Sequence, residues 1–164
     1  MNYAFKFLKN WQVNDFQKLI DSFFEEKLKP VFYKEAIKII NEHQAKNREL
    51  LVISNAILPI VEKISSYLGI KRCIGTELET KNGKFTGEIK GEIIYGKNKA
   101  EILTQYIRNN NLSIEKSWSY ADHFSDIPIL EIAKHPFAVN PNNLLYKEAT
   151  KRNWPILYFK QLNL

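Results

Sequence analysis

Cysteine is nearly absent: Cys73 stands alone in 164 residues. No disulfide can therefore close within the chain, and Cys73 reads as a small buried apolar residue. Long apolar runs are missing too. None approaches the roughly 20 residues that a membrane-crossing helix needs. The opening stretch, MNYAFKFLKNW, scatters lysines among its apolar residues and has no small-residue cleavage site, so it does not read as a secretory signal. A cytoplasmic location without a membrane partner is the expectation. Acidic residues are in deficit, 18 Asp and Glu against 24 Lys and Arg, for a net charge of +6. Such a balance suits polyanions, but these lysines are spread along the chain, often on the polar side of helical patterns such as KEAIKII. A solvated lysine-rich surface accounts for them, and nucleic acid is not expected as a partner. The three histidines, His43, His123 and His135, share no metal-ligand spacing, which argues against zinc.

What is present is a chain of one-domain length whose grammar changes part-way. Residues 14–28 repeat Phe16, Leu19, Ile20, Phe23 and Phe24 at helical spacing, with Asn14 as the expected N-cap. Residues 31–43 do the same with Phe32, Ala36, Ile37, Ile39 and Ile40. From Glu49 onward short apolar runs alternate with helical patterns. ELLVIS is the first strand, ending at Ser54. A helix follows from Pro59 to the stop at Gly69, then a strand at RCIGTE. TELETKNGKFTGEIKGEI reads as a hairpin turning at Asn82–Gly83. A helix over 97–109, a strand at KSWSYA, a helix at IPILEIA, a strand at PFAVN, a helix at NLLYKEATKR and a strand at WPILYF complete the series. This order implies an α/β layer with a parallel sheet over 46–164, preceded by a helical part over 1–45.

In open α/β sheets the chemistry lies beyond the carboxyl ends of the strands. Ser54, Asp122 and Asn140 fall at such ends, Asp126 follows one helical turn after Asp122, and Lys99 opens a helix. Each alone has a plain reading. Serine and aspartate after a strand cap the next helix, and a lysine is usually a surface residue. Together, a hydroxyl, an amine and two carboxylates at matching strand ends suit a phosphate and a divalent cation, since magnesium prefers hard carboxylate oxygens. GEIIYGK has the spacing of a phosphate-binding Gly-rich loop, but Asn98 follows where Ser or Thr belongs and the residues between are strand-like, so it is a chance match.

The pieces LLVISNA, GEIIYGKNKAEIL, YADHFSDIPILE and AVNPNNLLYKEATKRNWPIL, in this order, resemble the haloacid dehalogenase (HAD)-like hydrolase superfamily, in its phosphoserine-phosphatase-like branch. The hairpin resembles that branch as well. The resemblance implies a HAD-like Rossmannoid three-layer sandwich over 46–164 with a partial helical cap over 1–45. It implies a phosphoryl contact for Ser54 and the Asn55 backbone N–H, charge neutralisation by Lys99, a Mg²⁺ ligand in Asp122, and in Asp126 a supporter of the metal shell or of Lys99. Ser125 stands where the branch often has an asparagine near the phosphate, and a substrate contact is implied there. Ala121, before the metal aspartate, keeps the small residue usual at that place.

One motif of the resemblance is not found. The superfamily places an Asp-x-Asp at the end of a first, central strand, where the first aspartate is the nucleophile and the second the general acid and base. The aspartates here are Asp15, Asp21, Asp122 and Asp126, and no two stand two apart. The expectation is a sheet lacking its central strand, and a Mg²⁺-dependent phosphomonoester hydrolase by ancestry that is inactive as this chain. The alternatives are a non-catalytic module binding phosphate or a phosphorylated metabolite, or one subunit of a split enzyme. The implied partners are a small phosphorylated substrate and a complementing N-terminal fragment or a second copy. A further option is that residues 3–8, YAFKFL, substitute for the missing strand.

Overall fold

The computed structural model describes residues 5–160. Five-residue and longer apolar repeats become helices and the short apolar runs become strands, in the order the sequence patterns predict. Helix α1 (Val13–Phe23) runs on through a π-helical turn over Phe24–Leu28 and a 3₁₀ turn over Lys29–Val31, where Pro30 sits, to α2 (Lys34–Ala45). Then come β1 (Leu51–Ile57), α3 (Leu58–Tyr67), β2 (Arg72–Thr76) and the hairpin β3 (Leu78–Lys81) and β4 (Lys84–Ile89). After α4 (Gly96–Asn109) follow β5 (Trp118–Ala121), α5 (Ile127–Ile132), β6 (His135–Val139), α6 (Asn143–Lys151) and β7 (Ile156–Leu157). The fold is α/β with parallel strands.

The described residues divide into two compact units at Ile94/Tyr95. This is a division by packing, a different cut from the helical 1–45 and α/β 46–164 parts expected from the patterns. Residues 5–45 hold helices joined by turns and short irregular links, with an isolated bridge between Gln12 and Lys84.

The first unit holds β1 and β2 in parallel, with Leu51 opposite Arg72 and Ile53 opposite Ile74. Helix α3 packs on both strands. At Gly75 on β2 an added Cβ would lie 2.9 Å from Leu58 Cα and from Val61 Cγ2, so only glycine lets the strand approach α3 this closely. The hairpin turns where predicted. Asn82 (φ 52°) and Gly83 (φ 74°) both take the left-handed conformation of a two-residue type I′ loop. The core gathers Leu8, Phe16, Ile20, Ile57 and Phe85, with the rings of Phe16 and Phe85 edge to face at 5.1 Å.

Three expectations change in this unit. Strand β1 does not end at Ser54. It continues to Ile57, but its regular pairing stops at Ile53 and resumes only at Ile57 opposite Thr76. The apolar run thus marks the end of the regular ladder and not the end of the strand. Asn14 is not the N-cap of α1; Gln12 takes that place, in extended conformation, because Val13 N–H already donates to Gly83 O. Residues 3–8 do not supply a strand in their described part. Tyr3 lies outside the described residues, and Lys6–Leu8 form a 3₁₀ turn that drives Leu8, 1% exposed, into the core.

The second unit is a three-stranded parallel sheet in the order β5, β6, β7. Its register runs Trp118 opposite His135 to Ala121 opposite Ala138, then Ala138 opposite Ile156. Ala121, Leu130, Ala138, Leu145 and Ala149 form the core, small residues that let α5 and α6 lie close on the sheet. Among the described residues β1 and β5 each have one unpaired side. Open edges of this kind carry unpaired N–H and C=O groups.

Candidate active site

The second unit assembles the candidate residues from two places. Strand β5 ends at buried Ala121, and Asp122 follows it, exposed. The chain then makes a 3₁₀ turn over Phe124–Asp126 and enters α5, whose first turn contains Pro128. Helix α4, packed on α5 and on that turn, brings Lys99 from its own first turn.

Lys99 is 6% exposed, the one buried lysine among the described residues. Its Nζ donates to Asp126 Oδ1 at 2.8 Å, and the two side chains are only 8% and 14% exposed. This decides between the two readings of Asp126. A capping aspartate would accept a backbone N–H of its helix. Asp126 occupies the N-cap position of α5 but makes no side-chain cap bond. Its carboxylate is taken up by Lys99 instead. Asp126 is thus the ion-pair partner of Lys99.

Asp122 is held through its backbone, whose carbonyl accepts the N–H of Asn142 at 2.9 Å. Asn142 also caps α6, its Oδ1 accepting from Leu145 N–H. The loops after β5 and after β6 are therefore tied together at Asp122. Asn140, the third strand-end candidate, has its amide occupied elsewhere. Its Nδ2 donates to Phe159 O at 3.1 Å and its Oδ1 accepts Phe159 N–H at 2.8 Å, which continues the β6–β7 ladder beyond its last strand pair. That assignment as a chemistry-bearing group is corrected to a structural one.

Ser54 and Asn55 belong to the first unit. Ser54 Oγ accepts the N–H of Ala56 at 3.1 Å, and Thr76 Oγ1 donates to Asn55 O at 3.0 Å. These bonds shape the irregular stretch of β1. The Ser54 hydroxyl acts there as an acceptor and keeps its own hydrogen for donation.

Ser125 and His123 interact directly, with Oγ and Nδ1 2.8 Å apart. His123 is also the N-cap of the 3₁₀ turn, its Nδ1 accepting Ser125 N–H at 3.3 Å. Sequence reasoning considered His123 as a metal ligand and found no spacing for one. Histidine is not among the residues that mark N-caps, so only its place between two aspartates carried a signal.

The donors present fit magnesium in part. Among the described residues no group of three or more His, Cys, Asp and Glu side chains is placed to hold a metal. Asp126 is occupied by Lys99, which leaves Asp122 as one hard, exposed carboxylate. Magnesium does bind through one or two carboxylates while keeping water and a substrate phosphate. A separate groove of about 610 Å³ opens at the other end of β6, lined by Glu131, Lys134, His135, Arg152 and Trp154 among others. It contains none of these residues, and its Arg152 is already paired with Glu131 and Glu148.

Comparison with known proteins identifies the family of the chain. The family model of the haloacid dehalogenase-like hydrolases matches residues 1–131. The inhibition of morphological differentiation protein of Streptomyces azureus is 32% identical over 152 residues, which are 92% of this chain and 54% of that protein. The chain thus spans about half the length of such curated relatives. A solved protein of unknown function from Bordetella pertussis Tohama I superposes with a TM-score of 0.82 at 22% identity, covering 89% of this chain and 67% of the other. A phosphoserine phosphatase solved as a phospho-aspartyl intermediate analogue gives 0.70 at 22% identity, covering 98% and 74%. With a family-model match over most of its length, the chain belongs to the haloacid dehalogenase-like hydrolases.

Proposed function

We propose that the chain carries the phosphate- and metal-binding part of a Mg²⁺-dependent phosphomonoester hydrolase and does not turn over substrate by itself. The observation that supports this most is the buried Lys99–Asp126 pair, its aspartate four residues after Asp122 in the chain. Burying two charges rarely adds stability over an apolar pair of the same size. An amine fixed at a strand-end rim is, however, what a phosphoryl group needs. Lys99 neutralises phosphoryl charge, Asp126 orients Lys99, and Asp122 holds Mg²⁺, which supplies further neutralisation when bound. Ser54, Asn55 and Ser125 are assigned to phosphoryl oxygens by family likeness. Residues 1–45 are read as the helical cap portion and 46–164 as the core, with a cytoplasmic location.

No Asp-x-Asp occurs in the sequence, so the covalent step has no nucleophile within it. A complementing N-terminal fragment or a second copy would have to supply one. The second reading, a non-catalytic module for phosphate or a phosphorylated metabolite, rests on the same absence. The test is hydrolysis of a chromogenic phosphomonoester with Mg²⁺, by the chain alone and with an added peptide that ends in Asp-x-Asp. The chain alone is expected to be inactive and the mixture active. Turnover by the chain alone would overturn the claim. Phosphate binding by calorimetry without rescue by peptide would favour the binding module.

A further inference from the structure

The loop between Asp122 and Asp126 contains an arrangement that decides which of its side chains can meet an anion. The backbone N–H of Ser125 donates to His123 Nδ1 at 3.3 Å. An imidazole nitrogen that accepts carries no hydrogen, so this ring holds its proton on Nε2. Ser125 Oγ lies 2.8 Å from the same Nδ1. With no hydrogen on Nδ1, the hydroxyl is the donor of that contact. The O–H hydrogen and the N–H of Ser125 are therefore both directed into the histidine ring. A phosphoryl oxygen accepts hydrogen bonds and donates none. Ser125 has no hydrogen left for it, while His123 carries one on the nitrogen opposite the contact. The ring is also fixed in orientation, its centroid 4.5 Å from that of Phe124.

We propose that His123, through Nε2–H, is the side chain of this loop that binds a phosphoryl oxygen, and that Ser125 acts behind it by holding the ring and its tautomer. The proposal rests on the phosphate-site reading above and changes the assignment of Ser125 within it. Ser125 is then a positioning residue, and His123, two residues earlier, supplies the donor in its stead.

The competing explanation is that His123 merely closes the 3₁₀ turn. His123→Asn separates the two, because asparagine still accepts the Ser125 N–H through Oδ1 while its amide, shorter than the ring, ends short of the place that Nε2–H occupies. The experiment titrates inorganic phosphate into the whole chain, its H123N variant and its S125A variant by calorimetry. Two-bond ¹H–¹⁵N spectra of the wild-type imidazole read the tautomer. The expected result is an Nε2–H ring, affinity weakened about tenfold in H123N, as for loss of a hydrogen bond to a charged group, and a smaller change in S125A. An Nδ1–H ring, unchanged affinity in H123N, or a larger loss in S125A than in H123N would each overturn the proposal while leaving the phosphate site standing. Absence of phosphate binding by the wild type would overturn the site reading and this assignment together.

Discussion

The two units bury different things. The first fills its core with large side chains, Leu8, Phe16, Ile20, Ile57 and Phe85, and keeps its ion pairs in water. Lys18–Asp15 is typical, with side chains 79% and 65% exposed. The second is built on three alanines and two leucines, and it takes a charged pair inside. Exposed pairs contribute about 0–1 kcal/mol, so the first unit depends on volume and shape. In the second, α4 packs on α5 and the turn before it, and Lys99 is buried there against Asp126. A unit organised around stability alone would have no use for that pair. The difference teaches where to look for chemistry: in the unit whose core is least greasy.

The strongest way to break this contrast is at Lys99. Lys99→Met leaves the Asp126 carboxylate buried without its counter-charge, and loss of one partner of a buried pair costs about 3–5 kcal/mol. Chemical denaturation followed by fluorescence of Trp118 and Trp154, both in the second unit, would read it. The double variant K99M/D126N is expected to regain a large part of the loss, since no uncompensated charge remains. A cost below about 1 kcal/mol for K99M would mean that the pair behaves like an exposed one, and the contrast between the units would fall.

Leu8→Ala tests the first unit in the same way. Leu8 is 1% exposed and belongs to the core cluster with Phe16 and Phe85. Truncating a buried leucine costs about 2–5 kcal/mol, depending on how far the site collapses. The loss should appear in the thermal unfolding of the whole chain. An indifferent variant would show that the turn over Lys6–Leu8 rests on the surface and that the core begins at α1.

Much of this was legible in the sequence, and the parts that were not share a cause. Helices and strands followed from apolar spacing because burial sets both periodicities. Asn82–Gly83 gave the hairpin turn because few residue pairs accept two left-handed positions in succession. Asp122 and Asp126 were found because carboxylates after a strand are informative by position. The misplacements depend on contacts distant in sequence. Nothing local says that Val13 N–H pairs with Gly83 O, which moves the N-cap from Asn14 to Gln12. Nor does the apolar run ELLVIS say that its strand resumes pairing at Ile57. Asn140 looked like a site residue because asparagine after a strand is ambiguous until its partner, Phe159, is known.

The smallest expected effect sharpens the contrast from the side of pH. His43 is the buried titratable group of the first unit, and Arg48 Nη1 donates to its Nδ1 at 3.2 Å. Burial first, then the charges of Arg48 and Lys46, hold its pKa below the usual 6.5. The unfolded chain therefore takes up this proton at a higher pH than the folded one. The contribution of His43 is present above 6.5, and it is lost as pH falls from there through the lower folded value. His43→Gln keeps an acceptor for Arg48 but cannot titrate. Its stability should fall less than that of the wild type as pH is lowered through this window, with the two profiles parallel above it. Identical profiles below 6.5 would show that His43 escapes its burial when protonated, and that the first unit yields locally where the second, with its locked Lys99, does not.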